Sequence, residues 1–92
     1  MSDERTNAGD PPDWAVAAVD AVKGSLAVEE DYCDLVVKLE CWSADSSKAW
    51  VSTSLQTDAE ELTFLHSIFM AEASVGQTTK GENGIYLIEI LF

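Results

Sequence analysis

Between Tyr32 and Trp42 the apolar residues fall on every second position: Cys33, Leu35, Val37, Leu39 and Cys41, with Asp34, Lys38 and Glu40 among them. A period of two puts one set of side chains on a single face of a strand, whereas a helix would scatter the same residues around its axis. The segment therefore predicts a half-buried strand. Ser43-Ala44-Asp45-Ser46-Ser47 supplies turn residues. Beyond it Ala49, Val51, Thr53 and Leu55 alternate with Trp50, Ser52, Ser54 and Gln56. Two such segments joined by a short polar turn predict an antiparallel hairpin.

Helical patterns flank the hairpin. Asp10-Pro11-Pro12-Asp13 has the chemistry of a helix start, with a capping carboxylate and prolines where a missing N–H is harmless. Ala15, Ala18, Val19, Val22 and Leu26 then recur at three- and four-residue steps, which predicts a helix to about Lys23 with Gly24 as its stop. Thr57-Asp58-Ala59-Glu60 fits a capping box. In the helix it opens, Leu62, Leu65, Phe69 and Ala73 form one stripe, and Phe64, Ile68, Ala71 and Val75 the adjoining one. That arc is too wide for one sheet to cover, so the helix should also touch the first helix or a second subunit. Gly76 suits a C-cap, and 77–84 a loop. From Ile85 to Phe92 the chain closes in a strand whose Tyr86, Ile88, Ile90 and Phe92 make a wholly apolar face.

The order helix, strand, strand, helix, strand predicts an α+β domain with two helices on a single-layer antiparallel three-stranded sheet. A helical crossover makes the second and third strands parallel, which sets the order 2-1-3. Ninety-two residues suffice for one core, so 10–92 should be one domain and 1–9 a flexible leader. With the apolar last strand at a sheet edge, a homodimer through the C-terminal strand is expected.

Five Lys and Arg oppose 17 Asp and Glu, a net charge of −12, while 47% of the residues are hydrophobic. The apolar share is that of a folded domain rather than an acidic disordered tail. Direct nucleic-acid binding is excluded, because it needs clustered cations, and Arg5, Lys23, Lys38, Lys48 and Lys80 are scattered. An anionic membrane surface is excluded for the same reason, and no apolar run nears the roughly 18 residues that span a bilayer. The N-terminus lacks the basic and apolar regions of a secretory signal, so a cytoplasmic, intracellular protein is expected.

Catalysis finds little footing. Cys33 and Cys41, within one strand, would stand roughly 26 Å apart at about 3.3 Å per residue, too far to pair, and they fit no zinc spacing. Neither has an activating neighbour. His66 is the only histidine and sits at the edge of an apolar stripe, with no residue placed to orient it. Gly76 and Gly81 have the spacing of a phosphate loop, but Glu82 stands where the lysine is required. No cofactor is implied, and the chain is read as a non-enzyme.

The carboxylates and aromatics remain as candidates. The hairpin should bring Glu29, Glu30 and Asp31 towards Asp58, Glu60 and Glu61 at one end of the sheet. The helix dipole accounts for the last three, at about 0.3 to 1 kcal/mol each, and calcium-loop spacing is missing, so no metal is expected. Tyr32, Trp42 and Trp50 are candidate aromatic contacts on the more polar sheet face, if residues 42 and 50 pair across the turn; packing beneath the first helix with Trp14 is the preferred expectation.

A charge of −12 exceeds the magnitude of about 2 to 8 that solubility needs. The reading preferred is a protein that docks on the basic, nucleic-acid-binding surface of a partner protein or complex and blocks it, as phage-type inhibitors and nucleic-acid mimics do. The alternative is a salt-adapted, halophilic structural subunit whose charge serves solvation.

Overall fold

The computed structural model describes residues 5–7, 9–32, 35–53, 58–81 and 84–92. Among these lie two helices, α1 (Asp13–Ala27) and α2 (Ala59–Glu72), and five strands, β1 (Arg5–Thr6), β2 (Lys38–Ser43), β3 (Lys48–Ser52), β4 (Ser74–Lys80) and β5 (Tyr86–Leu91). The class is α+β, as expected. The sheet is antiparallel between all neighbours and runs β1-β2-β3-β5-β4.

The expected three-stranded order 2-1-3 is therefore corrected in both number and order. The middle place belongs to β3, which pairs with β2 on one side and with β5 on the other. The error traces to the segment after α2. Instead of a cap at Gly76 and a loop over 77–84, the chain breaks helical geometry at Ala73, φ −156° and ψ 174°, and enters β4 directly. The crossover rule holds once it is applied to β4. Both β3 and β4 are antiparallel to β5, so they are parallel to each other, with β5 inserted between them. That insertion pairs both edges of β5 and removes the free C-terminal edge on which a strand-paired homodimer was expected; the outer strands are β1 and β4.

Gly76 matters for a different reason than capping. The Glu89 side chain crosses over it from β5, and a Cβ at position 76 would collide with the Glu89 carboxylate. The β4–β5 register shifts between Val75 and Thr78, a bulge that accommodates this approach.

Helix boundaries also move. The N-cap of α1 is Pro12, with no side-chain cap hydrogen bond, so the carboxylate of Asp10 does not serve. The helix passes through Gly24 to Ala27, since one glycine costs only about 1 kcal/mol and Leu26 beyond it is buried. The capping box of α2 is one residue later than expected: Asp58 accepts from the Glu61 backbone N–H at 2.8 Å, and the Asp58 N–H donates to Glu61 Oε1 at 3.0 Å. Thr57 lies outside the described residues, as do Cys33 and most of the expected leader; within the latter, Arg5 and Thr6 pair with Ser43 and Trp42.

One core joins the layers. Ala15, Ala18, Val19, Val22 and Leu26 of α1 meet Leu65 and Phe69 of α2 over Ala49 and Val51 of β3 and Ile88 and Ile90 of β5. The arc of α2 touches α1 and β4, but within it only Leu65 and Phe69 are buried, Leu62, Phe64 and Ile68 are half-buried, and Ala71 is exposed. Leu35 and Val37 are buried as foreseen, but β2 itself begins only at Lys38.

Candidate functional site

The α1–β2 connection is a chain of tight turns. Glu29 N–H donates to the Leu26 carbonyl, Tyr32 N–H to that of Glu29, and Leu35 N–H to that of Tyr32, at 3.1, 3.1 and 3.0 Å. These turns lay the Tyr32 ring on Phe64 of α2, with centroids 4.0 Å apart and planes 14° from parallel. Phe64 stands one turn beyond the capping box, so Tyr32 reaches the end of α2 that carries Asp58, Glu60 and Glu61. The phenol pKa is raised above 10.0, first by burial, then by the charges of Glu60, Asp31, Asp58 and Glu61. Adding a phenolate there would strip its water and place it among like charges.

Four of the six expected acids thus raise the pKa of the half-buried Tyr32, and they come from two separate parts of the chain. Glu29 and Glu30 are exposed on the preceding turn and are not among the charges acting on Tyr32. Among the described residues no three His, Cys, Asp or Glu side chains come close enough to hold a metal ion, and no helix is long and apolar enough to cross a membrane.

The alternative of a shared aromatic face needs residues 42 and 50 to pair across the turn, and they do not. A register shift between Leu39 and Cys41 pairs Trp42 with Ala49 and Cys41 with Trp50, so the two tryptophans do not face each other across the turn. Trp42 packs against the helix-side core. Trp50, between the core residues Ala49 and Val51, projects to the other face of the sheet and is 3% exposed. Trp14 is elsewhere again, 5.5 Å from Phe92 between ring centroids, with Nε1 donating to the Ser46 carbonyl at 2.7 Å.

The remaining candidates take structural places. His66 Nε2 lies 2.7 Å from Thr78 Oγ1, linking α2 to β4. Gly76 and Gly81 do not frame a phosphate loop: the first is within β4, and the second closes the β4–β5 hairpin through its N–H to the Ile85 carbonyl at 2.9 Å. Cys41 lines an open groove of about 510 Å³ on the helix-free face, with Glu40, Ser52, Thr79, Leu87 and neighbours. No signal in the sequence pointed to Phe64 as the partner of Tyr32, because the contact depends on how the turns after α1 fold back.

Comparison with protein-family models, with curated proteins and with solved structures finds no match.

Proposed function

We propose that this chain is a non-enzymatic binding protein that acts inside the cell by docking its acidic end on the basic, nucleic-acid-binding surface of a partner protein and blocking it. What supports the reading is that Asp31, Asp58, Glu60 and Glu61 all raise the pKa of Tyr32, whose ring stacks on Phe64. Such a set offers anionic oxygens beside an aromatic edge, the complement of a surface rich in Lys and Arg. The overall charge of −12 adds long-range attraction that speeds encounter.

The test is binding to a basic nucleic-acid-binding protein across a salt series. Affinity should fall by more than about tenfold between about 50 and 200 mM salt. Converting Asp31, Glu60 and Glu61 to their amides should weaken it at low salt by a similar factor. Unchanged binding in that triple variant rejects the proposal.

A further inference from the structure

The acidic end carries an apolar groove as well as charge. Its walls are Lys23, Leu26 and Ala27 from the last turns of α1, and Leu35, Val36 and Val37 from the segment before β2, enclosing about 250 Å³. Val36 is 63% exposed, and Val28, which follows directly on the α1 wall, is 81% exposed. From Val28 the chain runs straight into Glu29, Glu30 and Asp31, and Asp31 shares the surroundings of Tyr32 with Asp58, Glu60 and Glu61. Lys23 is the one cation among the lining residues. Exposed aliphatic side chains bordering an acidic run match neither a purely solvated surface nor a partner recognised by charge only.

We propose that this groove seats an apolar side chain from a basic amphipathic helix of the partner protein, while the cations of that helix meet the acids beyond Val28. The inference rests on the acidic-docking reading and narrows it: the partner is recognised by an apolar stripe set among lysines and arginines, and a bare polycation engages only half of the surface. Charge complementarity selects the occupant. A neutral apolar segment leaves the carboxylates without counter-charges, and an anionic one is repelled.

The test uses the full chain and two labelled helical peptides with equal numbers of lysines, one with leucines at i, i+3 and i+4 positions and one with those leucines replaced by glutamine. The leucine peptide should bind about tenfold tighter, the worth of burying roughly one aliphatic side chain. Val36→Ser and Val28→Ser, both at exposed positions, should abolish most of that preference and leave the glutamine peptide unaffected. Met70→Ser, at an exposed position of α2, should leave the preference intact. Equal binding of the two peptides, or a preference insensitive to both valine variants, overturns the groove and leaves the acidic-docking reading standing. Failure of both peptides to bind at low salt overturns both readings.

Discussion

Trp14 Nε1 donates a 2.7 Å hydrogen bond to the backbone carbonyl of Ser46, tying the first turn of α1 to the tip of the β2–β3 hairpin. Ser46 holds this position with φ of 62°, the left-handed region that side chains other than glycine enter at a cost. The turn is closed by Ser46 N–H on the Ser43 carbonyl at 3.0 Å. The strain is local, whereas the bond to Trp14 uses only the backbone carbonyl of Ser46 and would survive a change of the Ser46 side chain.

Ser46→Gly should therefore stabilise the protein by about 0.5 kcal/mol, the relief of left-handed strain less the added freedom of glycine in the unfolded chain. Urea denaturation followed by tryptophan fluorescence reads it. A loss of stability would show that the serine side chain does more than its geometry indicates.

The same turn holds Asp45 well below the usual carboxylate range. Ser47 Oγ and Ser43 Oγ each donate to Asp45 Oδ1 at 2.7 Å, and Ser47 N–H adds a third bond at 3.1 Å, which brings the pKa to about 2. A depressed pKa means the unfolded chain takes up the proton first. This contribution is complete above the unfolded value near 3.8 and disappears as pH falls through about 2. Asp45→Asn should melt below the parent protein at neutral pH, and the gap should close over that window. Carbon-detected NMR titration of the Asp45 carboxyl gives the midpoint directly.

Tyr32 should behave in the opposite sense at the alkaline end. Its raised pKa contributes stability that is fully present below 10.0 and is lost as pH rises through the folded-state value. In a Tyr86→Phe background, ultraviolet titration should place the Tyr32 midpoint above 10.0, and Glu60→Gln should move it down. A midpoint unmoved by Glu60→Gln contradicts the charge arrangement on which the proposed docking surface depends.

Phe69 is fully buried where α2 meets the rest of the core. Phe69→Ala should cost about 3 to 5 kcal/mol, which for a domain of this size approaches total stability. Circular dichroism at about 0.1 M salt, a dilution at which repulsion is still felt over about 10 Å, should show the parent protein folded and the variant largely unfolded. A parent chain that folds only in molar salt would instead make the charge a solvation device and remove its role in docking.

Much of the architecture follows from short-range pattern. The buried set of α1, the turn at Ser43–Ser47, the pairing of β2 with β3 and the start of α2 within one residue are all dictated by neighbours in the chain, because helix period, strand alternation and caps depend on residues only a few positions apart. Tertiary contacts decided the remainder. The sequence Ser74-Val75-Gly76-Gln77-Thr78-Thr79-Lys80 has no clean period, and becomes a strand because β5 offers it a row of backbone partners and Gly76 admits Glu89. That one strand reordered the sheet and enclosed the C-terminal strand. A one-residue slip between Leu39 and Cys41 likewise sent Trp42 and Trp50 to opposite faces. Strand order and register are set by backbone groups distant in sequence, whose pairing energy appears in no local pattern of side chains.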